Sequence, residues 1–159
     1  MKTRHKVAAG LTAGTLAAGS LFISNFEGLY TKAYFDPVGI LTVCYGETEG
    51  VKRGDIYTPA QCRDMLAKKL PRYWSEIADC MGADLVEKQT EQRKIAFLSF
   101  AYNVGSGAFC KSTMLKKLRS GDVRGACDEL LKWNRAAGIV FKGLTRRRQA
   151  ERKLCMEGI

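Results

Sequence analysis

Six cysteines, at positions 44, 62, 80, 110, 127 and 155, set the tightest limit on what this chain can become. None forms a Cys-x-x-Cys pair, and the one histidine is His5 in the N-terminal tail, so a zinc site of ordinary spacing is not expected. Six buried thiols would be the plainer outcome. An even count at wide spacing instead favours three disulfides and an oxidising compartment. Closing the nearest loops pairs Cys44 with Cys62, Cys80 with Cys110 and Cys127 with Cys155. Each such closure contributes about 3 kcal/mol in the chain-entropy model.

The first 25 residues point to the same compartment by a separate argument. Lys2, Arg4 and Lys6 stand at the start with no acid, and Val7 to Ile23 follows as 17 residues without a charge. A basic start before an apolar run is the layout of an export signal. It is also near the short limit for a membrane-spanning helix, and its basic flank predicts a cytoplasmic N-terminus with the body exported. The run is weakly apolar, because only Val7, Leu11, Leu16, Leu21, Phe22 and Ile23 are strongly so. Gly10 and Gly14 add a small-xxx-small spacing. Three fates remain open: cleavage near Ala17-Ala18-Gly19, a permanent anchor, or a poor anchor that leaves the bilayer. The third has a consequence. Glu27 lies four residues past Ile23, so an anchored segment would hold it away from the body, and release would let it fold on. The division expected is 1–25 as a signal-anchor segment and 26–159 as a catalytic domain.

A chain of 159 residues with 46% apolar content is long enough for one domain with a real core. The net charge of +10 favours polyanions. Its lysines and arginines are scattered, apart from Arg146, Arg147 and Arg148, and no basic stripe interleaves with aromatics, so nucleic acid is not the expected partner. Without Lys2, Arg4 and Lys6 the body keeps +7, which suits an anionic wall polymer.

Pattern and turn chemistry give a small β-containing lobe followed by a helical one. A short helix is expected near Ser24 to Tyr30. Strands follow over Lys32 to Phe35 and Ile40 to Tyr45, turning at Asp36-Pro37-Val38-Gly39. Thr58, Pro59 and Gln61 form a helix start with a capping box, and that helix should reach about Asp79. Thr90 opens another that ends near Gly105. Ser112 to Leu118, Val123 to Trp133 and Thr145 to Cys155 read as three more. Met, Leu and aromatic residues at helical spacing are core positions, and no cofactor is implied.

Glu27, Asp36 and Thr42 carry the chemistry. Cleavage of a glycosidic bond needs one carboxyl held protonated for the leaving oxygen and a second, ionised one. Their surroundings must differ so that the two titrate apart. Glu27 follows Phe26 at the end of an apolar segment, where desolvation should raise its pKa, making it the general acid. Asp36 at a polar turn should stay ionised, and Thr42 on the next strand can hold a water. Against this, Asp-Pro is a common turn former and Glu27 could be an ordinary surface acid.

The run FEGLYTKAYFDPVGILTVCYGET resembles the active-site region of phage-type lysozymes, with its Glu, strand, Asp in a turn, Thr and Gly-x-Gly-His-Thr pattern. FLSFAYNVGSGAFCKSTMLKKL, the segment from Gly125 to Trp133, and GLTRRRQAER match later motifs of that family in order, so the similarity spans roughly residues 24 to 157. The resemblance implies a lysozyme-like α+β fold, two lobes with a substrate cleft between them. It implies hydrolysis of the β-1,4 bond between N-acetylmuramic acid and N-acetylglucosamine in peptidoglycan, leading to host lysis. Glu27, Asp36 and Thr42 match the catalytic residues. Tyr102, Asn103, Ser112 and Thr113 match positions near the cleft. The family is inverting, which makes Asp36 the base. Arg146 and Arg147 match an Arg-Arg run that either faces the anionic peptide stems or pairs with acids in the helical lobe.

There are two departures. Glu47 stands where the family carries His, which places any ion pair there in doubt and could bring a third carboxylate to the cleft. The apolar N-terminus with cysteines resembles exported endolysins held inactive by a releasable signal-anchor. That implies host inner membrane contact through residues 7–23, then a periplasmic monomer. Some of those relatives use a catalytic cysteine, but Cys44 is expected to be structural because Asp36 occupies the attacking position. Other functions remain: a permeabilising helix with an accessory body, a wall-binding module without catalysis, or a lytic transglycosylase, which needs only the acid.

Overall fold

The computed structural model describes residues 10–159, so the basic start and Val7 lie outside the described residues. The first helix, α1, spans Ala13–Ser24, and Thr12 caps it by accepting from the Thr15 amide. This differs from the short helix expected near Ser24 to Tyr30. Ala-rich residues 13–18 favour the helix, whereas Gly28 and the β-prone Tyr30 and Thr31 do not. The helix unwinds through Asn25, Phe26 and Glu27, whose amides still reach Phe22 and Ile23 carbonyls. Leu11, Thr15, Gly19, Ser20 and Ile23 are buried, and α1 packs on the helical lobe. Residues 11–23 therefore contribute to the core. Among the described residues, no helix is long and apolar enough to cross a membrane.

Strands β1 (Tyr30–Phe35) and β2 (Leu41–Cys44) form an antiparallel hairpin with Tyr34 opposite Thr42 and Phe35 opposite Leu41. Helix α2 (Pro59–Met81) carries the capping box read from Thr58 and Gln61. It runs from the hairpin lobe into the helical lobe and buries Leu66, Leu70, Trp74 and Ile77 along one face. Full burial of a side chain such as Leu70 stabilises by about 1.5–3 kcal/mol. Pro71 sits inside α2, at the cost of one backbone donor.

Helix α4 (Glu91–Val104) is the central helix, with residues 93–101 buried throughout. Around it lie α3 (Ala83–Glu87), α5 (Ser106–Cys110), α6 (Thr113–Arg119), α7 (Val123–Glu129) and a 3-10 turn at Leu130–Lys132. A second hairpin, β3 (Arg135–Ala136) with β4 (Ile139–Val140), precedes α8 (Lys142–Met156), which packs along α4. The architecture is α+β, with both hairpins small. Three disulfides close as loop proximity leads one to expect: Cys44–Cys62 ties β2 to α2, Cys80–Cys110 ties α2 to α5, and Cys127–Cys155 ties α7 to α8.

Candidate active site

Glu27 leaves α1 only three residues after Ser24, and its amide donates to the Ile23 carbonyl at 3.2 Å. The helix end thus fixes where the side chain starts. The carboxyl meets Arg147 from α8, whose Nη1 donates to Glu27 Oε1 at 2.6 Å. Arg147 is almost fully buried, while the Glu27 side chain keeps 25% exposure. Expectation and structure differ here. Phe26 was expected to give Glu27 an apolar setting, but that ring packs against the Arg147 guanidinium, 5.7 Å from its centroid. The acid is half-buried beside a cation.

Behind that pair lies a polar network. Arg147 also donates from Nη2 to the Ser99 carbonyl at 3.2 Å and from Nε to Glu151 Oε1 at 3.3 Å. Ser99 Oγ donates to the same Glu151 oxygen at 2.6 Å. Arg148 Nη2 bridges Glu151 Oε1 and Asn103 Oδ1, both at 3.0 Å. Its Nε lies 2.8 Å from Glu151 Oε2 but is poorly aligned, so that contact is a charge interaction without a good hydrogen bond. Burial pushes the Glu151 carboxyl up from its ordinary value, against the two guanidinium groups that hold its charge. Burial also lowers Arg148, to about 10. The helical spacing of Arg147, Arg148 and Glu151 puts all three on one face of α8.

A cavity of about 380 Å³ opens beside Glu27, lined by Asn25, Phe26, Asn103, Phe141, Arg146 and Arg147 among others. Asn103 and Glu27 therefore share one cavity wall. The second hairpin, absent from the sequence expectations, supplies Ala136, and Phe141 follows it. The signal in the sequence was Gly138 between the pairs Arg135-Ala136 and Ile139-Val140; in the structure it takes the positive φ that the turn needs. Another cavity of about 340 Å³ lies elsewhere, lined by Gly10, Asp79 and Val86. It contains none of the candidate acids or bases.

Asp36 and Thr42 sit on the first hairpin, outside the lining of the Glu27 cavity. Asp36 Oδ1 accepts from the Val38 and Ile40 amides at 3.0 and 2.8 Å. That Asx turn, with Gly39 at φ +85, locks the carboxyl's direction and leaves Oδ2 without a described partner. Thr42 is buried, and its hydroxyl donates to the Ile40 carbonyl at 3.0 Å. With its proton committed, that oxygen is left to accept, so a water would donate to it.

Tyr102 joins the two lobes. Its hydroxyl donates to the Tyr45 carbonyl at 3.1 Å and its ring packs 5.2 Å from Tyr73. Burial, then the charges of Glu27 and Tyr73, push its phenol above the ordinary value. Ser112 is placed differently from the cleft position expected for it. It caps α6, donating to the Phe109 carbonyl at 2.7 Å and accepting from the Leu115 amide at 3.2 Å, and it is buried. The structure spends its hydroxyl on the backbone. Thr113 is exposed at the first turn of α6 and lies outside the lining of the Glu27 cavity.

Glu47 does not become a loose third carboxylate. Its Oε2 lies 2.9 Å from Lys69 Nζ on α2, and its Oε1 accepts from the Thr48 and Glu49 amides at 3.0 Å each. Burial raises its pKa, but the Lys69 and backbone hydrogen bonds outweigh this and hold it below the ordinary value. An ion pair thus exists at this position after all, with Lys69 as partner.

The model of the phage lysozyme family matches residues 24–151. The chain belongs to that family. A SAR-endolysin of Bacteriophage PS119 is 40% identical, over 98% of this chain and 95% of the relative. Among solved structures, an endolysin from Escherichia coli O157:H7 phage FAHEc1 aligns with a TM-score of 0.76 at 24% identity, over 100% of this chain and 98% of that one. That likeness shows the fold. The muramidase domain of SpmX from Asticaccaulis excentricus aligns with a TM-score of 0.74 at 28% identity, over 96% and 99%. Phage lysozyme membership makes the chain a glycoside hydrolase of the endolysin type acting on peptidoglycan.

Proposed function

We propose that this endolysin cleaves the β-1,4 bond between N-acetylmuramic acid and N-acetylglucosamine, with Glu27 as general acid and Asp36 as general base. Glu27 protonates the leaving glycosidic oxygen. Asp36, with Oδ1 anchored to two amides, takes a proton from water through its other oxygen while Thr42 accepts from that water and orients it. This division of labour is an inverting hydrolysis. The observation that carries it is the pair of unlike carboxyl environments: Glu27 beside a cavity and fixed by Arg147, Asp36 fixed by a backbone turn. Asn103 on the cavity wall and Tyr102, whose hydroxyl donates to the Tyr45 carbonyl, are the candidate substrate-side residues.

The same proposal covers topology. Residues 7–23 hold the chain at the host inner membrane with the body in the periplasm, and departure from the bilayer lets α1 dock so that Glu27 reaches Arg147. The relatives called SAR-endolysins, the weak apolar run and the three disulfides support this. The test is digestion of purified peptidoglycan by wild type, Glu27→Gln and Asp36→Asn. Both substitutions should lower kcat by about 10³-fold or more, a loss of ~4 kcal/mol of transition-state stabilisation. Full activity in Glu27→Gln would overturn the assignment. Lysis by that variant would favour the permeabilising helix, and loss in Glu27→Gln with Asp36→Asn unaffected would favour the transglycosylase.

A further inference from the structure

The face of α1 that meets the body is not apolar at its N-terminal end. Thr15 donates its hydroxyl to Glu91 Oε2, and Thr12 Oγ1 lies 2.8 Å from Thr15 Oγ1. Lys94 Nζ donates to the other Glu91 oxygen at 2.7 Å, and its side chain is 8% exposed. Glu91 opens α4, where the helix dipole also favours a carboxylate. The Lys94 and Thr15 hydrogen bonds both hold its pKa below the ordinary value. So a buried cation orients one body acid, and that acid receives a hydroxyl from the segment that would otherwise lie in lipid.

The fit around this contact is close. Gly10 has φ +84, and a Cβ there would come within 2.4 Å of Val86 Cγ1. A Cβ on Gly19 would meet Leu98 Cδ2 at 3.3 Å. Ile23 at the far end of α1 is fully buried, and its carbonyl takes the Glu27 amide. The position of α1 along α4 therefore sets the position of Glu27.

We propose that Glu91, braced by Lys94, is the capture point for the released α1 and thereby a positioning residue for Glu27. This rests on the reading that residues 7–23 leave the bilayer and that Glu27 is the acid. In lipid, Thr12 and Thr15 have only each other and their own backbone to bond. On the body, Thr15 gains a charged acceptor, a stronger bond than one between neutral groups. Capture and departure are then linked equilibria, and weakening capture returns the chain to the membrane.

The test uses the full chain with substitutions on the body alone, which leave the apolar run unchanged. Wild type, Glu91→Ala, Glu91→Gln and a control, Glu87→Ala, are mixed with phosphatidylethanolamine–phosphatidylglycerol vesicles and floated. The ratio of bound to free protein is read, followed by kcat and KM of the free fraction and its melting temperature. Glu91→Ala should move the ratio toward vesicles about tenfold, as losing one charge-assisted hydrogen bond implies. Its kcat should fall with KM unchanged. Glu91→Gln keeps an acceptor and should recover part of both, and Glu87→Ala should match wild type. Wild-type ratio and kcat in Glu91→Ala would overturn the proposal, including the case where only its melting temperature falls. Should Glu91→Ala not fold, an unshifted ratio in Glu91→Gln and Lys94→Met overturns it equally. If Glu27→Gln proves fully active, the catalytic reading fails while the vesicle ratio still judges capture by itself.

Discussion

Replacing Arg147 with Met should damage both stability and turnover. Among the described residues, Arg147 is the one side chain that bonds both Glu27 on the cavity side and Ser99 and Glu151 in the core. Breaking a buried charge pair by removing one partner costs about 3–5 kcal/mol. Glu151 has no exposure but keeps Arg148 and Ser99, so the lower end, about 3 kcal/mol, applies. The Glu27 arm is part-exposed and adds less than about 1 kcal/mol. At ~2–4 °C per kcal/mol for a domain of this size, a total of about 3–4 kcal/mol should lower the melting temperature by about 6–16 °C. The carboxyl of Glu27 would lose its fixed direction, and kcat should fall on the order of 10²-fold. Arg147→Lys keeps a charge but reaches fewer partners, so it should recover part of each. Thermal melting by circular dichroism and the clearing of peptidoglycan suspensions read the two effects. An Arg147→Met protein that melts within about 2 °C of wild type and clears peptidoglycan at the wild-type rate would refute the reasoning.

Other outcomes follow from the same contacts. Removing the Cys127–Cys155 bond by a double Cys→Ala change frees a loop of 28 residues and should cost about 3.5 kcal/mol in denaturant unfolding. Lys117 and Lys132 hold the buried Glu129 carboxyl below its ordinary value of 4.5. Its stabilisation is therefore present above about that pH and is lost as pH falls through the lowered folded value. Melting curves of Glu129→Gln should be less stable than wild type at pH 7 and converge with it in acid; a constant difference would contradict the assignment. Glu47→Gln removes a partly exposed pair and should cost about 1 kcal/mol or less with kcat nearly unchanged, checked by melting and clearing assays. A large loss of kcat would mean that Glu47 has a role at the cleft.

Capping chemistry made the long helices legible. Thr58 with Gln61 marks the start of α2, and Thr90 with Gly105 marks the two ends of α4, each within two residues. The first helix was expected too far along the chain because its weakly apolar run was read as a signal-anchor; on the body, Gly19 lets α1 lie close to Leu98 of α4, and Ser20 is buried. Helices α3 and α5 and the β3–β4 hairpin are too short for periodicity to show. Glu27, Asp36 and Thr42 stood out because chemistry demands those groups. The buried support of Glu27 did not, although Arg147 and Glu151 stand four apart on one helix. Ser112 was given to the cleft by resemblance, while its place before a helix already marked it as a cap.

The central claim is acid–base hydrolysis by Glu27 and Asp36, and digestion in ¹⁸O-labelled water tests it most directly. The account predicts reducing muramic ends that each carry one heavy oxygen, formed by wild type and abolished in both Glu27→Gln and Asp36→Asn. Unlabelled anhydro-muramic ends, or labelled ends formed at the wild-type rate by either variant, would contradict it.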